Sequence, residues 1–181
     1  MPDYINASGS TSETVLGNRT LRRRGVVIHT TEGLDSLDWL QGGSARAGHP
    51  ASADFLIDRS GDIYQITPPG RFAYHSGRAR WELYQEADTT VNQGFYGIEL
   101  ENKADIHQKV SDAQYIALAW LVRVLVTVNH IDLRAIVGHH DVALPVGRKS
   151  DPSGFDWLIF THELIHPSHD WDSFVLLEEL P

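Results

Sequence analysis

The sequence predicts an α/β fold of the mixed α+β kind: a single domain in which a central mixed β-sheet is flanked by helices. Three observations favour it. Apolar strand-like runs occur at residues 26–28 and 95–101, a hairpin pattern spans 52–65, and a long apolar helical pattern follows residue 111. The length of 181 residues, with 41% hydrophobic residues, suits one domain with its own core.

The strands can be justified in chain order. Residues 26–28 are apolar and β-branched, which is typical of a buried strand. In the segment 52–65, two strand patterns flank the polar turn at 59–62, which predicts an antiparallel hairpin. Residues 95–101 predict a further strand, and residues 133–137 a short one. The hairpin means that the sheet is not wholly parallel.

The helices begin with a capping signal. Ser111 and Gln114 have the spacing of a capping box, in which each side chain satisfies a backbone donor of the other residue. The segment that follows, to about residue 130, is apolar on most sides and predicts a largely buried helix. A long irregular loop is expected at 138–154, and a last helix near 156–165.

These elements define the expected domain organisation. Residues 1–20 are predicted to form an irregular N-terminal arm, residues 21–166 the main domain, and residues 167–181 a C-terminal tail packed on the same domain. The sequence contains no internal repeat and no low-complexity linker.

Composition excludes several classes of function. The net charge of −9 argues against a nucleic-acid partner. No cysteine is present, so any metal must be held by His, Asp or Glu. The polar N-terminus lacks the apolar core of a signal peptide, and the longest apolar run, 117–128, is too short for a membrane anchor. A soluble monomer made in the cytoplasm without a signal peptide is therefore expected.

The stretch HELIH, residues 162–166, matches the H-E-x-x-H pattern of zinc proteases. On a helix, His162 and His166 would share a face and could bind one zinc ion, with Glu163 as the base. However, Pro167 follows directly, and the residue before a proline is biased away from helical geometry. We therefore treat a zincin-type protease as the weaker alternative and expect these three side chains to be solvated.

Other candidate residues lie at the ends of predicted strands. His29 ends the first buried strand, Glu99 lies within the strand 95–101, and His139 follows the strand 133–137 directly. Lys149 and Asp151 follow in the long loop. Rigid elements can hold such side chains around an open site. Taken singly, each of these residues is more often structural than functional.

Taken in order, five stretches resemble the zinc-dependent N-acetylmuramoyl-L-alanine amidases. That family includes amidase-type phage endolysins, muropeptide-recycling amidases and, more distantly, animal peptidoglycan recognition proteins. The matching stretches are VVIHTTEG (26–33), SADFLIDRSGDIYQ (52–65), AYHSG (73–77), YGIELEN (96–102) and VGHHDVA followed by GRKSDPSGFDW (137–157). The last is the longest and most specific pattern.

The resemblance implies a set of roles. His29, His139 and Asp151 match the positions of three ligands to one zinc ion per chain. Glu99 matches the catalytic acid-base position, and Lys149 matches a basic residue that can stabilise an oxyanion. The bond implied is the amide between the lactyl group of N-acetylmuramic acid and L-alanine. Residues 21–166 would then be the catalytic domain.

The resemblance also suggests where substrate binds. His75 matches a histidine that borders the substrate cleft, and Thr30 is a second candidate contact. The expected substrate is peptidoglycan or its soluble muropeptides, acted on either at the cell wall, as by a bacteriolytic, antimicrobial endolysin, or in the cytoplasm. A non-catalytic peptidoglycan-binding module is the leading alternative. The chain departs from many relatives at Asp54, where they carry an aromatic residue or histidine.

Overall fold

The computed structural model describes residues 3–18, 22–81, 90–103 and 109–168. Its strands form a central sheet of six strands and a separate pair. In chain order the strands are β1 (Tyr4–Asn6), β2 (Leu16–Gly17), β3 (Gly25–Thr30), β4 (Phe55–Ile57), β5 (Ile63–Gln65), β6 (Phe72–Ala73), β7 (Phe95–Leu100) and β8 (Ile136–Gly138).

The central sheet is mixed, as predicted. Its strand order is β1-β5-β4-β7-β3-β8. Strands β4 and β5 pair antiparallel and form the expected hairpin, whereas every other pair in this sheet is parallel. Strands β2 and β6 form the separate antiparallel pair. The parallel neighbours β8, β3 and β7 therefore end at the same edge of the sheet.

The helices differ greatly in length. They are α1 (Ser36–Asp38), α2 (Ser44–Arg46), α3 (Val91–Gly94), α4 (Asp112–Asn129), α5 (His139–Val142) and α6 (Trp157–Ile165), with a π-helical turn at Trp39–Gly43 between α1 and α2. Short 3₁₀ turns lie at Ser8–Ser10, Glu13–Val15 and Leu133–Ala135. None of the helices in the described ranges has the length and apolar character needed to cross a membrane.

Helix α4 is the main helix of the core. The Gln114 backbone N–H donates to Ser111 Oγ at 3.1 Å, and the Ser111 N–H donates to Gln114 Oε1 at 3.1 Å, so the predicted capping box is confirmed. Leu118 and Leu121 on this helix are fully buried against the core. One side of the helix packs against the sheet, and the other side packs against α6.

The prediction of an irregular N-terminal arm over residues 1–20 is wrong at two places. Residues 16–17 form β2, which pairs with β6. Residues 4–6 form β1, which extends the sheet by pairing with β5 in register Tyr4–Ile63 to Asn6–Gln65. A three-residue strand is too short to show alternation in the sequence, and it is stabilised here by the free edge of β5. Of the predicted tail, only residues 167–168 lie in the described ranges.

The segment after α4 also differs from the prediction. Residues 133–135 form a 3₁₀ turn instead of a strand, because Asp132 Oδ1 accepts the Arg134 N–H at 2.9 Å and caps that turn. Strand β8 begins only at Ile136. The loop predicted from residue 138 opens with the short helix α5, whose first residue is His139.

Helix α6 ends before Pro167, as predicted from the sequence. Asp156 caps its first turn by accepting the Leu158 N–H at 2.9 Å. The last helical residue is Ile165, and His166 has the non-helical φ of −124°. The HELIH stretch is therefore the final turn of a helix that packs on α4 through the buried Phe160.

Leu121→Ala should lower the free energy of unfolding by about 2–5 kcal/mol, because it leaves a cavity beneath the sheet. Leu158 makes a matched control, since it is 82% exposed. Leu158→Ala should change the free energy of unfolding by less than about 0.5 kcal/mol. Urea unfolding followed by circular dichroism measures both. Equal effects of the two substitutions would contradict the assignment of this face of α4 to the core.

Candidate active site

Parallel strand pairing brings the candidate residues together at one edge of the sheet. His29 lies near the end of β3 and is in register with Glu99 on β7. His139 follows β8, whose last residue, Gly138, pairs with Ile28 on β3. Parallel strands place their carboxyl ends at a common edge, which is where functional groups collect in such sheets.

At this edge, one nitrogen or oxygen atom from each of His29, His139 and Asp151 points to a common centre. His29 Nδ1 lies 3.1 Å from His139 Nδ1 and 3.3 Å from Asp151 Oδ2, and the last two atoms are 3.0 Å apart. All three side chains are buried. In the described part of the chain, this is the one group of three or more His, Asp or Glu residues whose donor atoms cluster in this way.

The spacing of these atoms fits a tetrahedral metal ion. Ligands about 2.0–2.1 Å from a tetrahedral zinc ion are separated by about 3.3 Å from one another. The three observed separations, 3.0–3.3 Å, are close to that value. Two imidazoles and one carboxylate are also the donor set of catalytic zinc sites, which keep the fourth position open.

Local hydrogen bonds hold Asp151 in place. Its backbone carbonyl accepts the His140 N–H at 3.0 Å, which ties the loop to α5. Two residues later, the Ser153 N–H donates to Thr30 Oγ1 at 2.9 Å, which ties the same loop to the end of β3. Thr30 is buried, and its hydroxyl therefore positions the loop as well as lining the cavity.

The Nε2 contacts of His29 and His139 determine which ring nitrogen of each carries the proton. His139 Nε2 lies 3.1 Å from the Ser76 carbonyl, which can only accept, so Nε2 carries the proton and Nδ1 presents its lone pair. His29 Nε2 lies 3.1 Å from His75 Nδ1. Burial lowers the pKa of His29 to about 4, so its ring is neutral at pH 7, as a metal ligand must be.

His75 lies behind His29 as well as on the cavity wall. Its Nδ1 faces His29, and its Nε2 is 3.3 Å from the Phe95 carbonyl. Burial, followed by the neighbouring His29, lowers the pKa of His75 well below its usual value. The His75 ring is therefore neutral at pH 7.

Glu99 and Lys149 border the same cavity, of about 170 Å³. Glu99 Oε2 is buried and has no hydrogen-bond partner among the residues that the structure describes. Burial, and then the charge of Asp151, raise the pKa of Glu99 to about 8. Lys149 is exposed at the rim, and its positive charge acts in the opposite direction on Glu99.

The cavity continues into a second groove of about 500 Å³. Both are lined by Ala51, His75, His139 and Lys149, so they form one cleft. One arm carries Trp39 and Glu32 near Glu99, and the other carries Tyr74, Asn92 and Arg148. An extended substrate could occupy both arms with its reacting bond beside the three converging side chains.

The HELIH residues lie elsewhere, at the C-terminal end of α6, with His166 directly after its last residue. The His162 and His166 rings are 5.5 Å apart and both are exposed. Glu163 Oε2 accepts hydrogen bonds from the Ser168 N–H and hydroxyl, so this carboxylate closes the helix end. No third donor joins them among the residues that the structure describes.

One functional contact was not predicted from the sequence, namely the His75–His29 hydrogen bond. The two residues are 46 positions apart, and no local pattern signals that their rings meet. His75 was identified as a cleft residue through the family motif only. Its second contact, to the Phe95 carbonyl, involves a backbone atom that a sequence pattern does not single out.

Comparisons with known proteins agree with this geometry. The 1,6-anhydro-N-acetylmuramyl-L-alanine amidase AmpD of Escherichia coli (strain K12) is 34% identical over 110 residues, which is 60% of this chain and 56% of that protein. The chain thus spans little more than half the length of this curated relative. AmiD of E. coli, solved with the substrate anhydro-N-acetylmuramic acid-L-Ala-D-γ-Glu-L-Lys, is 27% identical with a TM-score of 0.64 over 80% of this chain and 58% of that one.

The fold also matches the N-acetylmuramoyl-L-alanine amidase LysC from Clostridium intestinale. The TM-score is 0.69 at 20% identity, over 91% of this chain and 99% of that one. The profile of the N-acetylmuramoyl-L-alanine amidase family matches residues 19–154, a range that contains all five clustered candidate residues. This chain therefore belongs to the N-acetylmuramoyl-L-alanine amidase family.

Proposed function

We propose that this protein is a zinc-dependent amidase that cleaves the amide between the lactyl group of N-acetylmuramic acid and L-alanine, in peptidoglycan or its soluble fragments. The observation that carries the proposal is one cavity in which three potential ligand atoms converge beside Glu99, whose buried Oε2 has no hydrogen-bond partner in the described part of the chain. The substrate class follows from family membership and from the muropeptide bound by AmiD.

We assign the zinc ligands to His29, His139 and Asp151. A zinc ion bound there would act as a Lewis acid and lower the pKa of a coordinated water towards about 7. The cavity beside the three residues leaves room for a fourth, non-protein ligand. One zinc ion per chain is expected.

Glu99 is the proposed acid-base group. It takes the proton of the attacking water and delivers it to the leaving nitrogen of L-alanine as the C–N bond breaks. Burial places the pKa of this carboxyl near neutral pH, where a group can both accept and release a proton. The Lys149 ammonium at the rim is proposed to stabilise the negative charge that develops on the carbonyl oxygen.

Thr30 and His75 are the proposed substrate contacts on the cleft wall. Both line the cavity. The Thr30 hydroxyl already accepts from Ser153, and both ring nitrogens of His75 are engaged. His75 would therefore meet substrate through apolar ring atoms, whereas the Thr30 hydroxyl, which accepts from Ser153, can still donate its own O–H to substrate.

The two alternatives make different demands on the site. A recognition module that only holds muropeptide needs neither Glu99 nor a cluster of metal-binding side chains, yet this cavity is lined by Glu99, His29, His139 and Asp151. A protease that uses His162 and His166 would need a third ligand near α6, and none is found in the described residues. The amidase accounts for more of the site than either alternative.

Glu99→Gln should lower kcat/KM for amide cleavage by about 10²–10⁴-fold, because it removes the acid-base group and keeps its shape. Mass spectrometry of digests of purified sacculi and of anhydromuramyl tripeptide measures the stem peptide released with a free N-terminal alanine. Glu163→Gln, a change on α6, is the matched control and should keep wild-type activity.

Wild-type activity of Glu99→Gln would refute the assigned role. Binding of muropeptide without any cleavage by the zinc-loaded wild type would favour the recognition module. Cleavage of sacculi as well as of the soluble tripeptide would support an endolysin-like, bacteriolytic role, whereas cleavage of the tripeptide alone would support wall recycling.

Glu99 should also make the stability of the metal-free protein depend on pH. Its pKa is about 8 in the folded protein, above the ordinary value of 4.5, so the folded state binds this proton more tightly than the unfolded chain does. The stabilisation from Glu99 is complete below pH 4.5 and is lost as the pH rises towards 8.

Glu99→Gln keeps a neutral group at every pH. Its free energy of unfolding should match wild type at pH 4.5 and exceed it at pH 8, by on the order of 2–4 kcal/mol at about 1.4 kcal/mol per pKa unit. Urea unfolding in EDTA across this range measures the difference, with Glu163→Gln as control. A difference that does not grow with pH would contradict the assigned protonation.

A further inference from the structure

We propose that His75 is a positioning residue that fixes the proton of His29 on Nε2, so that His29 Nδ1 is always available to the metal. This inference rests on the proposed zinc site and assigns His75 a task distinct from substrate contact. It also assigns a task to the buried pair Arg23–Asp54, which holds the carbonyl that orients the His75 ring.

The first step is the direction of the hydrogen bonds. The Phe95 carbonyl can only accept, so the proton of the neutral His75 ring lies on Nε2, 3.3 Å from that oxygen. His75 Nδ1 is then an acceptor. At 3.1 Å from it, His29 Nε2 must donate, and a neutral His29 has no proton left for Nδ1.

The second step is what holds the Phe95 carbonyl. Arg23 Nη1 donates to this same oxygen at 2.5 Å, and Arg23 Nη2 donates to Asp54 Oδ1 at 2.8 Å. The guanidinium also stacks on the Tyr96 ring, 4.6 Å from its centroid. Both charged side chains are almost fully buried, so this ion pair is a fixed part of the core.

Asp54 completes the support from the other side. Its Oδ2 accepts the Gly97 N–H at 2.8 Å, and its own N–H donates to the Gly97 carbonyl at 2.9 Å. Asp54 therefore binds both the N–H and the carbonyl of Gly97 on β7. The negative charge of Asp54 balances the positive charge of Arg23, which reduces the electrostatic repulsion between the guanidinium and a metal ion bound nearby.

The third step is the space that the His75 ring occupies. A Cβ atom added at Gly97 would lie 2.4 Å from His75 Cγ, so the ring packs directly on the backbone of β7. Any side chain at this position would displace the ring from His29. Gly97 therefore belongs to the same arrangement, although it touches no metal ligand itself.

The consequence is a single protonation form of His29. Without an acceptor at Nε2, the neutral His29 ring could place its proton on Nδ1, where it would block metal binding. Outer hydrogen bonds of this kind typically change metal affinity by about 10–100-fold. His139 gains the same benefit from the Ser76 carbonyl, so each histidine ligand has its own acceptor.

Nitrogen-15 NMR of histidine-labelled wild-type protein tests the proton positions directly. In the zinc-loaded protein, His75 should carry its single proton on Nε2, and His29 should carry a proton on Nε2 that exchanges slowly with water. Protonation of His75 on Nδ1 would overturn the proposal, whatever the behaviour of any variant.

Zinc affinity of two His75 variants gives the second test. His75→Leu removes the acceptor and should weaken zinc binding by about 10–100-fold, measured by competition with a chromophoric chelator. His75→Asn places an amide oxygen near the position of Nδ1 and should restore most of the affinity. Urea unfolding in EDTA checks that both variants are folded. Equal zinc affinity of His75→Leu and wild type would overturn the proposal.

Gly97→Ala provides an independent variant with His75 intact. It should weaken zinc binding in the same direction, because the added methyl displaces the ring, while Gly33→Ala, where an added Cβ meets no atom within 4 Å, should not. The two proposals fail separately. If the wild type and the variants bind zinc as predicted but the zinc-loaded wild type cleaves no amide, only the proposed function is refuted. If the wild type cleaves the amide and His75→Leu binds zinc as tightly as wild type, only the role of His75 is refuted.

Discussion

The close approach of three lone-pair atoms is the constraint on which the site depends. The Nδ1 atoms of His29 and His139 and Oδ2 of Asp151 lie 3.0–3.3 Å from one another, deep in the protein. Such atoms repel one another unless a proton or a cation lies between them. The Nε2 atoms of both histidines are oriented as donors to outer acceptors, which leaves a cation as the natural partner.

The fold meets this constraint through strand order. The parallel pairing of β8, β3 and β7 brings His139, His29 and Glu99 to one edge, although His29 and His139 are 110 positions apart in the sequence. Asp151 comes from a loop, and that loop is tied to α5 by the His140 amide and to β3 by Thr30. Asp151, which lies in no regular element, is thus held by hydrogen bonds to residues of α5 and β3.

The site also carries a cost in stability. Within the described ranges Glu99 Oε2 is buried without a hydrogen-bond partner, and burying a carboxyl oxygen in this way disfavours the charged form. An apolar residue at this position would make the protein more stable but could not accept or release a proton. The fully buried core around α4, with Leu118 and Leu121, supports a site that is itself locally unfavourable.

Much of the structure could be predicted from the sequence, for identifiable reasons. The hairpin and α4 carry strong local signals, a polar turn between two strand patterns and a capping box. The three side chains that the structure brings together, His29, His139 and Asp151, lie in motifs such as GRKSDPSGFDW. Strand β1 was missed because three residues hold no periodic signal.

The contacts behind the site could not be predicted in the same way. The pairing of Arg23 with Asp54 and the bond from His29 to His75 join residues 31 and 46 positions apart. They depend on the tertiary arrangement and on backbone carbonyls. In the sequence Asp54 is only a departure from many relatives, whereas the structure shows its contacts with Arg23 and Gly97.

The chain contains two candidate zinc motifs, and their geometry distinguishes them. HELIH ends a helix at the surface, whereas His29, His139 and Asp151 converge in a buried cavity. The most direct measurement is the zinc content of dialysed wild type, His29→Ala and His162→Ala. Inductively coupled plasma mass spectrometry measures it. We predict one zinc ion per chain in wild type and in His162→Ala, and none in His29→Ala. Loss of zinc from His162→Ala, with zinc retained by His29→Ala, would contradict the account.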